Sequence, residues 1–199
     1  MTENEQLWAR AAAEAASTRP CDRPSFPDPV DAATVARAEA ALGFPLPPLL
    51  ADPYLRTGDG GFRSEYGLLP LLDSLPAGEP AAVSPYLANR ESGHEDPDRP
   101  WPEGVLPISH WGCAMYACVD CRSPRATVLP CEPNPGDPDH AWLVDALGPT
   151  TWLHPWLVDA PRPTAWLHAR LDGTGWYGTL GDDLEPTPWT EFRIRTAAA

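Results

Sequence analysis

Lysine is absent from this sequence: all 14 basic residues are arginine, against 28 aspartates and glutamates, for a formal net charge of −14. The missing lysine is read as genomic base-composition bias, but the charge has physical consequences. It repels nucleic acid and anionic membrane, and it draws in a basic partner and speeds its capture; plain solubility is the simpler alternative. No apolar run is long enough to cross a bilayer, and the N-terminal TENEQLWARAAAEAA is charged and amphipathic rather than a secretion signal. A cytoplasmic location is therefore expected. GxSxG and HExxH are missing as well, and Gly58 to Gly61 lacks the following Lys and Ser/Thr of a phosphate-binding loop. No catalytic residue and no cofactor are expected.

Proline, in contrast, is abundant: 27 of 199 residues, against a typical share of about 5%. With a hydrophobic fraction of 43%, this describes a globular chain of many short elements joined by stiff loops, and its length suits one core better than two. The stretch LGFPLPPLLADPYLRTGDGGFRSEYGLLPLL, Leu42 to Leu72, organises the reading. Gly43 is a helix stop. Pro47 and Pro48 open the next helix, because proline in a first turn lacks only a donor that has no partner there. Leu49, Leu50, Tyr54 and Leu55 follow at roughly helical spacing, Gly58-Asp59-Gly60-Gly61 makes a turn ahead of Phe62, and Tyr66-Gly67-Leu68-Leu69 starts a strand.

In chain order, Thr2 and Glu5 match a capping box for a helix with Leu7, Trp8, Ala11, Ala12 and Ala15 on one side. A proline-rich linker fills Pro20 to Pro29. Asp31 caps a second helix, with Val35, Ala38 and Leu42 on one face. A short helix is expected within Leu75 to Asn89, weakened by Pro85, and Glu91 to Pro102 reads as a polar loop. Val105 to Val119 and Ala126 to Cys131 read as strands of an antiparallel meander, with Trp111 in the central strand, Gly112 beside it and a turn at Arg122 to Arg125. Further strands are expected in Ala141 to Leu147 and Glu191 to Arg195, with a helix at Pro163 to Leu171. The near-repeat of Trp152-Leu153-His154 and Trp166-Leu167-His168 has only two copies, too few for a repeat architecture.

Cys113, Cys118, Cys121 and Cys131 crowd one region, and Cys118-Val-Asp-Cys121 has the spacing of a metal knuckle. Zinc needs four converging ligands, whereas an extended 113 to 121 places its end cysteines about 26 Å apart. With the turn centred near Ser123, Cys131 is expected opposite Met115. A second CxxC is lacking, and buried small hydrophobes are the favoured reading over zinc or a redox pair. The odd total of five cysteines in a chain expected to be cytoplasmic argues against a disulfide framework. His110 precedes Cys113 by three, which on one strand puts the pair on opposite faces and not in a nucleophile-base arrangement.

The wording LGFPLPPLL, GDGGF, YGLLPL and WPEGVLPISHWGCAMYACVD resembles the SUKH superfamily over about residues 30 to 131, and more loosely from Trp166 to Tyr177. The sequence departs from that pattern at Pro53, where the family's helix normally runs unbroken, and in the tail beyond Tyr177. Bacterial members are largely toxin-immunity proteins, and fungal ones regulate cell-wall assembly. The resemblance implies an α+β fold, a mostly antiparallel sheet of about five or six strands with helices packed on one side in a single domain. Residues 1–29 then form an N-terminal helix and linker, 30–177 the SUKH-like domain, and 178–199 a tail with an added edge strand. It also implies a non-catalytic binder that neutralises a cognate toxin, for which the charge suggests a basic target. A regulatory scaffold or carbohydrate-linked binder is the alternative, and a zinc protein or cysteine-dependent enzyme a weaker one. The acidic loop Glu91, Glu95, Asp96 and Asp98, with Trp101 as an exposed aromatic anchor, is the expected partner site.

Overall fold

The computed structural model describes residues 27–60, 68–73, 80–95, 100–133, 141–144 and 187–196. The expected N-terminal helix, the Gly61-Phe62 end of the glycine turn, the Trp-Leu-His near-repeat and the helix at Pro163 to Leu171 lie outside these residues.

Helix α1 spans Ala32–Leu42. It starts where the Asp31 Oδ1 accepts the Thr34 N–H at 2.8 Å, satisfying one of the donors that a helix start leaves unpaired. Val35, Ala38 and Leu42 are its buried face, as their spacing requires. Gly43 ends it at φ +80°, donating its N–H to the Glu39 carbonyl at 2.9 Å. The Glu39 carboxylate then accepts the Leu46 N–H at 2.8 Å, which fixes the short link to the next helix. Helix α2, Pro48–Arg56, opens on Pro47 and Pro48 as expected and runs on through Pro53. Leu50 and Tyr54 are fully buried.

The described residues after α2, 57–60 and 68–73, are stitched by backbone and side-chain bonds rather than by strand pairing. The Tyr54 hydroxyl donates to the Leu69 carbonyl at 2.9 Å, and the Asp59 carboxylate accepts the Leu71 N–H at 2.7 Å. Leu69 donates to Ile108 at 2.8 Å. The strand expected at Leu68 and Leu69 does not form. Pro70 has no N–H with which to continue a ladder.

Helix α3 is Val83–Glu95. It begins and ends later than expected, because Pro85 lies in its first turn, where a missing donor costs nothing. The Asp73 carboxylate secures the approach, accepting the Ala81 N–H at 2.9 Å and the Ser84 hydroxyl. Glu91 and Glu95 therefore belong to a helix and not to a polar loop.

Strands β1 (Val105–His110), β2 (Tyr116–Asp120) and β3 (Val128–Cys131) form an antiparallel meander in the order β1-β2-β3. The continuous strand expected through Trp111 is a hairpin instead. The chain turns at residues 111–115, with Gly112, Cys113 and Ala114 all at positive φ and Trp111 donating to the Met115 carbonyl at 2.9 Å. Trp111 is thus half-buried at a turn. Ile108 is bulged out of the β1–β2 register beside Pro107, which leaves its carbonyl for Leu69. Every described position of β2 and β3 but Tyr116 is buried, so the sheet is covered on both faces, with α3 between α1 and β1.

Past β3, Cys131 bridges to Trp142, and β4 (Leu143–Val144) pairs antiparallel with β5 (Thr187–Pro188). Helix α4, Phe192–Thr196, follows. A strand was expected at Glu191 to Arg195 from the alternation of Phe192 and Ile194. Phe192 is buried but Ile194 is 71% exposed, so the alternation does not mark a sheet face. The class is α+β. The described residues make a three-stranded sheet and a two-stranded ribbon joined by one bridge, and a single sheet of five or six strands is not seen among them.

Candidate partner-binding surface

Of the expected acidic site, Glu91 is exposed on α3 and Glu95 is the last residue of that helix. Their spacing of four places the two positions on the same side of α3. Asp96 and Asp98 lie outside the described residues. Trp101 corrects the expectation of an exposed anchor. It is only 8% exposed, its indole N–H donates to the Val105 carbonyl at 2.8 Å, and its own carbonyl accepts Arg90 Nη1 at 2.6 Å. An indole with its N–H satisfied and its rings covered is a core group. The proline-flanked setting that suggested exposure instead folds the 101–104 segment under α3, where Gly104 donates to the Tyr86 hydroxyl at 3.3 Å. The side chain that pattern reading missed is Leu87, one turn before Glu91 and 45% exposed.

The described part of the glycine turn is packed into the fold. Gly58 and Gly60 are buried, and Asp59 is half-buried with its carboxylate on Leu71. Cys113 is exposed in the β1–β2 turn, not on a strand, so the opposite-face argument for His110 and Cys113 does not apply. Cys131 pairs with Tyr116, one residue from the expected Met115, and Cys118 pairs with Leu129. Burial drives the Cys118 thiol well up and pushes Cys131 up to about 12. Among the described residues, no group of three or more His, Cys, Asp or Glu is arranged to hold a metal ion. Nor is any described helix long and apolar enough to cross a membrane.

A second polar centre, not anticipated from the sequence, sits where the C-terminal segment meets the sheet. Asp120, at the end of β2, is 1% exposed. Its carboxylate accepts the Arg122 N–H at 3.0 Å and faces Arg195, whose Nη2 is 3.0 Å from Oδ2 and whose Nη1 is 3.4 Å from Oδ1. Burial raises the Asp120 carboxyl above its ordinary value, while Arg195 opposes that rise. Arg195 also meets the Glu191 carboxylate at 2.9 Å and stands 5.9 Å from the Trp189 ring. Beside it, Trp142 stacks on Phe192 at 6.1 Å and meets Trp101 edge-on at 5.0 Å. Residues 75 apart in sequence meet here, and no local pattern signals such a pairing.

No curated protein matches the chain. The model of the SMI1 / KNR4 family (SUKH-1) matches residues 29–143, which take in all three helices α1 to α3, the meander and the start of β4. The chain belongs to the SMI1 / KNR4 family (SUKH-1).

Proposed function

We propose that this chain is a non-catalytic protein-binding module of the immunity type, one that neutralises a basic cognate toxin by direct binding. Family membership supports a role in toxin immunity or in cell-wall regulation; the net charge of −14 is the observation that favours the first. The charge is also unevenly spent. Arg56, Arg122 and Arg195 each face a carboxylate, on Asp52, Glu103 and Asp120 respectively, whereas Glu91 is exposed on α3. We take Glu91 and Glu95, with Asp96 and Asp98 just beyond them, as the steering charges, and the exposed Leu87 as the apolar contact that replaces Trp101.

Where a neighbouring gene encodes a basic toxin domain, co-expression of the two tests the reading. Protection from growth arrest, together with a complex of the purified proteins, is expected; arrest without protection and no complex refutes it. In stopped-flow binding, reversing Glu91 and Glu95 to arginine is expected to slow association, with an effect that shrinks between low and high salt. Leu87→Ala is expected to speed dissociation instead. Wild-type rates in both variants place the interface elsewhere.

A further inference from the structure

Resting on the reading of this chain as a binder of basic proteins, we infer that the outward face of α3 takes a helix of the partner, one that sets a basic side chain against Glu91 and an apolar row against Leu87 and Ala88.

The choice of α3 follows from charge. Carboxylates on and beside the other two helices have local uses: Asp31 caps α1, Glu39 accepts the Leu46 N–H and Asp52 faces Arg56. The exposed side of α1 also carries Arg37, which repels a basic group. On α3 the arrangement is reversed. Arg90 turns inward, where its Nη1 donates to the Trp101 carbonyl at 2.6 Å, and Glu91 is exposed. Among the described exposed positions of α3, which are Leu87, Ala88, Glu91 and Ser92, the one charge is negative. A basic partner is therefore drawn to this face and turned away from that of α1.

The kind of partner element follows from the relief of the face. Residues four apart line up as a row along a helix surface. Leu87 and Glu91 make one row, of long side chains, and Ala88 and Ser92 make the next, of short ones. A ridge beside a shallow groove is the surface on which a second helix packs its own row, crossing at an angle of about 50° with the axes about 8–10 Å apart. Short side chains at the crossing place the pair at the closer end of that range. A partner strand has less to gain, because the backbone groups of α3 are bonded within the helix and offer no ladder. Nor is β1 open where Ile108 accepts the Leu69 N–H at 2.8 Å. A helix seated on Ala88 covers Leu87, which is 45% exposed, and brings a side chain one turn along over Glu91.

The test uses the full chain and two synthetic peptides, so its failure is separable from failure of the immunity reading, which is decided by co-expression. One peptide carries a leucine row and an arginine row at helical spacing; the other has the same composition in an order that forms no rows. In fluorescence anisotropy, full-length wild type is expected to bind the first saturably and at least tenfold more tightly than the second. Ala88→Leu fills the groove and Glu91→Arg inverts the charge. Each is expected to weaken the binding at least tenfold and, at an exposed position, to leave Tm unchanged. Ala36→Leu, on the exposed side of α1, is the control and is expected to bind as wild type does. Equal binding of the two peptides, binding by Ala88→Leu at the wild-type level, an equal loss in Ala36→Leu, or no binding at all overturns the proposal. A protective complex with a toxin whose affinity is indifferent to Ala88→Leu overturns it too, while leaving the immunity reading in place.

Discussion

Replacing Gly60 with alanine separates two costs that a glycine can conceal. Gly60 has φ +90°, and a Cβ built there meets the Leu68 carbonyl oxygen at 2.6 Å, the Pro70 nitrogen at 2.8 Å and the Leu69 carbonyl carbon at 3.0 Å. All three are backbone atoms, so the 68–70 segment must move, and with it the Tyr54 to Leu69 and Leu71 to Asp59 bonds. Gly43 is the control: it has φ +80° but nothing within 4 Å of its added Cβ. Left-handed backbone costs an ordinary residue about 1–2 kcal/mol, partly offset by a stiffer unfolded chain. Gly43→Ala is therefore expected to lose about 1 kcal/mol. Gly60→Ala adds a backbone displacement of about 1–3 kcal/mol, for a fall in Tm of roughly 5–15 °C in a chain of this size. Thermal and urea unfolding by circular dichroism measure both variants. A Gly60→Ala protein no less stable than Gly43→Ala refutes the close approach of this turn to residues 68–70.

Trp101→Ala is expected to cost about 3–5 kcal/mol of stability as a core truncation, and Trp101→Phe about 1 kcal/mol for the indole bond to Val105; chemical unfolding distinguishes this from an exposed anchor, whose loss leaves stability unchanged. The Asp73 carboxyl is held below its ordinary 3.8 by the Ser84 hydroxyl and the Ala81 N–H. Its contribution is complete above the unfolded value and fades as pH falls through the lowered one, so Asp73→Asn is expected to flatten the acid limb of stability against pH, an effect kept small by its exposure. With Cys21 replaced by serine, native protein treated with an aromatic disulfide reagent at pH 8 is expected to release one equivalent quickly, from the exposed Cys113. The buried Cys118 and Cys131, whose thiols burial drives upward, should react only as fast as the protein opens, and the half-buried Cys121 more slowly than Cys113; rapid reaction of Cys118 or Cys131 refutes their burial.

The sequence determined what neighbouring residues decide among themselves. Asp31 three residues before Thr34, the Val35-Ala38-Leu42 stripe, Gly43 as a stop and the Pro47-Pro48 start are local chemistry, and α1 and the opening of α2 follow from them. The family, too, was legible in wording carried by the same stretch and by β1 and β2. Strand limits were less so, because β-branched and aromatic residues continue through Trp111, and only positive φ at Gly112 to Ala114 breaks the strand. Tertiary structure alone decided the rest. Whether Trp101 faced solvent or core depended on Arg90 and Val105 approaching it. Whether Glu191 to Arg195 became strand or helix depended on a docking surface made by Trp142 and Asp120, residues distant in the chain. Composition gave the charge its sign, but which carboxylates stay free and which are neutralised is set by distances between segments, and no pattern within a segment encodes them.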